Sequence, residues 1–218
     1  MHQISAERRK KEAVMRYLDR KLILASASPR RRELMEKLGV AFEVETSASE
    51  ECVPRDLSVF QTAEYLSGVK AEDVFLRHKG ESITVIGSDT VVILEGEIFG
   101  KPKDREDAYR MLKRLSGRSH IVSTGVTILS GTPEQEPVSR ISFTSEAKVK
   151  FYDLTEEEIR EYLTNDEYAD KAGAYGIQGL GALFVERVEG DYYTVVGFPL
   201  AAAARLLKRE IQENGGQS

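Results

Sequence analysis

Four stretches of this 218-residue chain carry side chains that could work on a phosphate anhydride. The first is "SASPRRR", in which Ser26 and Ser28 precede Pro29 and three consecutive arginines, Arg30, Arg31 and Arg32. It lies where an apolar run turns into an amphipathic helix, and a cation there meets the positive end of the macrodipole. Free backbone N–H groups at such a turn favour an anion, and arginines add bidentate, charge-assisted bonds to phosphate. The plainer reading spreads the three arginines around the helix into solvent. The second stretch is "GSDTVV", residues 87–92, where Asp89 follows the apolar run "ITVIG". A carboxylate beside a glycine at a strand end can hold Mg²⁺ or activate water, or it can cap the amides of a turn.

The third stretch, "GEIFGKP" (96–102), fails as a Walker A loop. Gly96 and Gly100 enclose three residues where the motif has four, and Pro102 follows Lys101 where it has Ser or Thr. Lys101 remains a candidate phosphate ligand beside the simpler reading of a surface lysine. The fourth, "DKAGAYGIQGLG" (170–181), is too glycine-rich and apolar for an ordinary solvated loop. Its glycines would let backbone approach a ligand closely, or they answer a demanding turn. The Gln178 amide offers one acceptor and one donor group, which can pair with the edge of uracil or thymine. Gly176 and Gly179 would then let the backbone close on the ring, and Thr90, beside Asp89, could tune the same pocket. Taken together, the four stretches suit a nucleoside triphosphate and a divalent cation.

The elements that must carry these residues alternate irregularly. Residues 21–26 read as a buried strand, 29–38 as a helix with Pro29 near its first position, and 42–46 as a strand. Residues 56–78 show helical spacing of apolar residues, among them Leu57, Phe60, Leu66 and Val74. "ITVIGSDTVVILEGEIFGKP" reads as strand, turn, strand, turn, short strand. "DREDAYRMLKRLSG" is a helix with Asp104 as N-cap and Gly117 as its stop. Two β-rich stretches, "HIVSTGVTILSG" and "VSRISFTSEAKVKFYDL", flank a hairpin loop at 130–137. A helix from Thr155, the glycine loop, a strand "ALFVERVEG" and a helix from Pro199 complete the chain. Hairpin signals beside helical crossovers predict an α/β fold, a mixed sheet with helices on its faces. Residues 1–20 form an N-terminal extension, read as a surface helix. Residues 21–209 form one domain and 210–218 a frayed tail.

Composition narrows the class. Hydrophobic residues are 41% and charged residues 31%, as in a globular chain with a core. A net charge of −5 argues against nucleic acid as a partner. One cysteine, Cys52, excludes an internal disulfide, so a reducing, cytoplasmic setting is the default. Three scattered histidines argue against a zinc hydrolase. No apolar run approaches membrane-span length, and the first twenty residues lack a secretory h-region.

"LASASPRRRELMEKLG", "GSDTVVILEGEIFGKPKDREDAYRMLKRLSG" and "DKAGAYGIQGLGALFVERVEGDYYTVVGFPL" resemble, in order, the three motifs of the Maf family of nucleoside triphosphate pyrophosphatases. The resemblance runs from about Lys21 to Lys208. It implies an elongated α/β fold similar to that of inosine triphosphate pyrophosphatases, with a central cleft and often a homodimer. It also implies hydrolysis between the α- and β-phosphates with Mg²⁺ or Mn²⁺. By motif, Ser26, Arg30 and Arg31 match the phosphate-binding element, and Glu51, with Glu50 beside it, a metal-site carboxylate. Lys70 matches a lysine on the following helix and Lys101 the lysine of the central block, Asp89 the general base and second metal ligand, and Gln178 a residue near the base. Many relatives carry Glu where this chain has Gly100. The C-terminal motif resembles the dTTP/UTP branch rather than the 7-methyl-GTP branch. On this reading water attacks the α-phosphorus, oriented by Asp89, while the cationic side chains offset charge on the leaving pyrophosphate. The rivals are a non-catalytic nucleotide- or nucleic-acid-binding regulator of cell division and a phosphatase acting on the terminal phosphate.

Overall fold

The strands are β1 (Lys21–Ala25), β2 (Glu43–Val44), β3 (Ile83–Leu94), β4 (Glu97–Phe99), β5 (Ser119–Thr132), β6 (Gln135–Phe151) and β7 (Val185–Gly190). They form one sheet of order β2-β1-β3-β5-β6-β7, with β4 also paired to β3. β1 lies parallel to β2 and β3, and every other pairing is antiparallel. This is the expected mixed α/β sheet. The computed structural model describes residues 20–50 and 52–215, with 136–137 and 211–215 by backbone alone. The surface helix expected near the start falls on residues 1–19 and, like Glu51, lies outside the described residues.

β3 organises the molecule. One of its edges pairs with β5 without a break from Ile83 to Ile93. The other is shared, with β1 along Lys21–Ala25 opposite Ile83–Gly87 and β4 opposite Val92–Leu94. Between them Ser88–Val91 has no strand neighbour on that side among the described residues. The turn expected at "GSDT" is therefore not there: the chain runs straight through as one 12-residue strand. Gly87 has a tertiary reason instead. A Cβ on it would lie closer than 3.0 Å to the Ser67 carbonyl and the Ala71 nitrogen. Gly125, opposite Asp89 on β5, lies just as close to the Ala63 backbone.

Both glycines serve one helix, α2 (Thr62–Phe75), which buries the small residues Ala63, Ser67, Gly68 and Ala71. Main chain rests directly on the sheet, and Ser67 Oγ meets Thr127 Oγ1 at 2.8 Å. The helix begins later than the apolar spacing from residue 56 suggests. Ser58 donates its N–H and hydroxyl to Gln61 Oε1 and holds a turn there, and Phe60 stays 49% exposed.

The opposite sheet face carries α1 (Pro29–Glu36) and α6 (Leu200–Gly215) over Leu24, Ile86, Ile128 and Phe198. α6 continues into the stretch expected to fray. Farther along that face, α3 (Arg105–Leu115) and α4 (Glu156–Tyr162) cover Val92, Val122 and Phe151. α3 obeys every local rule. Asp104 accepts from the Asp107 N–H at 2.7 Å, acids fill its first turn, bases its last, and Ala108, Leu112 and Leu115 face the core. Thr155 and Glu158 start α4 with a reciprocal capping box. α1 breaks these rules: it has no side-chain cap, no acid in its first turn, and arginines there. A helix start arranged that way is suited to an anion from outside.

Candidate active site

The break in β3's edge opens a cleft of about 980 Å³. Ser26, Arg30, Arg31, Lys70, Asp89, Thr90, Lys101 and Gln178 all line it. Of the residues expected at the site only Glu51 is not placed, because it lies outside the described residues. Asp89 is in mid-strand rather than at a strand end, on the β3 face beneath α2. With bare glycines at Gly87 and Gly125, α2 settles low enough for Lys70 Nζ to pair with Asp89 Oδ1. The pair is largely enclosed, with 16% and 11% of the two side chains exposed.

Thr90 points to the other face. Its hydroxyl accepts from Arg31 Nη2 at 3.0 Å and meets Thr124 Oγ1 at 2.9 Å. Arg31 also donates from Nε to the Gly197 carbonyl at 2.9 Å and from Nη1 to Ser26 Oγ at 3.4 Å. Gly197 follows the short helix α5 (Tyr192–Val196) with φ 114, a left-handed conformation open to glycine. Ser26 Oγ in turn accepts from the Ser28 N–H at 3.2 Å. The three arginines thus divide their work. Arg31 turns inward, Arg30 reaches Asp170 at 3.0 Å, and Arg32 alone takes the solvated course, pairing with Glu36.

The glycine loop packs on its own neighbours. On the Cβ side, the space beside Gly176 is filled by Lys171 and that beside Gly179 by Glu167, while both glycines line the cleft. Glu167 accepts from the Leu180 N–H at 2.9 Å and from the Tyr162 hydroxyl at 3.3 Å, which fastens the loop carrying Gln178. The expected strand consequently starts later, at Val185, because Leu180–Phe184 coils as a 3₁₀ turn. Gly173 donates to the Gly100 carbonyl at 3.1 Å and so ties the loop to the chain at Lys101. Burial pushes the Asp170 carboxyl up, but the hydrogen bond from Lys171 and the nearby Arg30 charge outweigh it and hold its pKa below the ordinary value. Glu167, Asp170 and Lys171 line the cleft beside the expected residues. Asp170 and Lys171 head the fourth stretch and could have been found there; nothing in the local pattern marks Glu167.

Beneath the loop, Tyr175 bonds His120 Nε2 at 2.8 Å, edge-on to Phe151. Burial lowers the His120 pKa from 6.5 to about 4. Between those values the unfolded chain binds a proton that the folded one refuses. The stability present above pH 6.5 is therefore lost as pH falls toward about 4, by about 3 kcal/mol in all. His120→Gln should flatten this acid loss. The check is the shift of the urea midpoint between about pH 7 and about pH 4.5; an unchanged shift would show that His120 does not carry it.

A family model described as "Maf-like protein" matches residues 21–210. A dTTP/UTP pyrophosphatase of Thermotoga maritima is 51% identical over 180 residues, covering 83% of this chain and 84% of that protein. One of Carboxydothermus hydrogenoformans is 48% identical, covering 89% and 99%. Among solved structures, a HAM1 protein from Coxiella burnetii is similar at 14% identity with a TM-score of 0.45, covering 87% of this chain and 99% of that one. The family match spans every described residue of the cleft, and the chain belongs to the Maf family.

Proposed function

We propose that this protein is a nucleoside triphosphate pyrophosphatase that cleaves dTTP and UTP to the monophosphate and pyrophosphate. The observation that carries the reading is the Lys70–Asp89 pair in the open stretch of β3, in one cleft with the uncapped start of α1 and the Gln178 loop. The names of relatives 42–51% identical to the chain support the substrate. Asp89 orients the attacking water and takes its proton. Arg30, Lys70 and Lys101 offset charge on the phosphates, and Arg31, fixed by Ser26, Thr90 and Gly197, holds the phosphate-binding turn in shape.

Among the described residues no three His, Cys, Asp or Glu side chains gather as a metal cage. A carboxylate such as Asp89, enclosed in the cleft, suits Mg²⁺ or Mn²⁺, which use one or two carboxylates and fill their remaining positions with phosphate oxygens and water. Asp89 and Glu51 would hold the ion. When bound, it would neutralise phosphate charge.

The deciding experiment identifies the products over a panel of nucleotides. Pyrophosphate with dTMP or UMP is expected, and purine triphosphates should be poor substrates. Orthophosphate would make the protein a terminal phosphatase, and no product at all a binding module. A preference for 7-methyl-GTP would overturn the account of the base. Gln178→Glu should lower kcat/KM for dTTP by about tenfold, since an acceptor would replace the donor facing the base's oxygen. An unchanged dTTP-to-GTP ratio would remove Gln178 from base selection.

A further inference from the structure

Proton counting along a buried chain of hydroxyls reveals a residue that the cleft does not. Thr124 is fully buried on β5, opposite Thr90 on β3. Its hydroxyl lies 2.8 Å from the Thr194 carbonyl, which can only accept. A threonine has one O–H to give, so that proton is committed to Thr194. At the 2.9 Å contact between the two threonines, Thr124 must then accept and Thr90 must donate. The Arg31 guanidinium, which only donates, meets Thr90 from the other side at 3.0 Å. The Thr90 hydroxyl is therefore fixed in direction: its proton points to Thr124, Arg31 takes one lone pair, and the other is left on a side chain that lines the cleft.

Thr194 is itself held. Its N–H and its hydroxyl both donate to Asp191 Oδ2, at 3.1 and 3.0 Å, and its hydroxyl also meets Ser145 Oγ at 2.7 Å. With its own proton given to Asp191, Thr194 Oγ1 accepts from Ser145. The carbonyl that sets Thr124 is thus anchored by the N-cap of α5.

We infer that Thr124 is a specificity-positioning residue: by accepting the Thr90 proton it turns Thr90 into an acceptor-only group toward the nucleotide. The nucleotide group that Thr90 can serve is an N–H or O–H donor, from the base or the sugar. A phosphate oxygen or a base carbonyl cannot be its partner. The inference rests on the proposed nucleotide site and deepens it.

The test is a double-mutant cycle read by binding of α,β-imido-dUTP, which needs no turnover, together with kcat and KM for dTTP. Thr124→Val keeps the shape and removes the acceptor. Affinity should fall by about tenfold, the cost of one misdirected hydrogen bond, with the loss in KM more than in kcat. Thr124→Ser should restore affinity to near the wild-type value. Thr90→Val should weaken binding, and adding Thr124→Val to it should cost nothing further, because the two act through one hydroxyl. Additive losses would overturn the inference and leave Thr124 a support of the fold only. If Thr124→Val does not fold, the same cycle with Thr124→Ala decides it. A wild-type protein that binds no nucleotide would instead overturn the reading of the site itself.

Discussion

Asp89→Asn should lower kcat for dTTP by about a hundredfold or more, since general-base help is typically worth 10²–10⁴. The change is nearly isosteric. The amide oxygen can still accept from Lys70, and the strand position is fixed by β5 on one side and by α2 resting on Gly87 and Gly125. The fold should therefore persist, with stability altered by about 1 kcal/mol for one weakened, partly enclosed bond. Read at saturating Mg²⁺, so that a weakened metal ligand does not intrude, KM should not rise, because a negative charge is removed from beside a triphosphate. A loss confined to kcat is the mark of a group acting in the transition state. A folded variant with near-wild-type turnover would take Asp89 out of the chemistry.

Gly125→Ala should be strongly destabilising. The added carbon would overlap three backbone atoms, the Ala63 carbonyl carbon and oxygen and the Glu64 nitrogen, each closer than 3.0 Å. Backbone cannot rotate aside as a side chain does, so either α2 lifts from the sheet or β5 bends. A loss of about 4 kcal/mol or more is expected, at the upper end of single-mutation effects. Activity should fall further than the folded fraction explains, because lifting α2 withdraws Lys70 from Asp89. Gly100→Ala is the control: nothing lies within 4 Å of its added carbon, and its melting temperature should stay near wild type. Equal melting temperatures for the two variants would show that the close packing of α2 is not required.

The same contact explains what was legible in the sequence. The starts of α3 and α4 can be read because Asp104 caps Asp107 and Thr155 exchanges bonds with Glu158, all within four residues. The two-residue turn into β4 has Glu95 and Gly96 both at positive φ, again a local matter. Gly87 misleads because its reason lies in a helix that precedes it by some twenty residues, so "GSDT" imitates a turn in the middle of a strand. Lys70 has no local signal and is marked only by the family resemblance; the fold supplies its physical reason. The glycines of the Gln178 loop leave open in the sequence whether they serve a ligand or a demanding turn, and the fold shows Lys171 and Glu167 packed on their Cβ side. Acid and base side chains spaced along a loop do not reveal which of them will fold back onto it. The arginine run was legible as an anomaly, yet its division into an inward, a bridging and a solvated member depends on Gly197, Asp170 and Glu36, two of which lie far along the chain.

The inward member has a thermodynamic consequence. A free arginine side chain gives up as much as about 2 kcal/mol of rotamer freedom when a ligand fixes it. Arg31 has already given that up on folding, to Ser26, Thr90 and the Gly197 carbonyl. An anion that contacts Arg31 as well would therefore meet a guanidinium whose ordering no longer counts against binding, an advantage of about tenfold or more in affinity at the same contacts. The entropic cost has moved from the binding equilibrium to the folding equilibrium, where the whole sheet shares it.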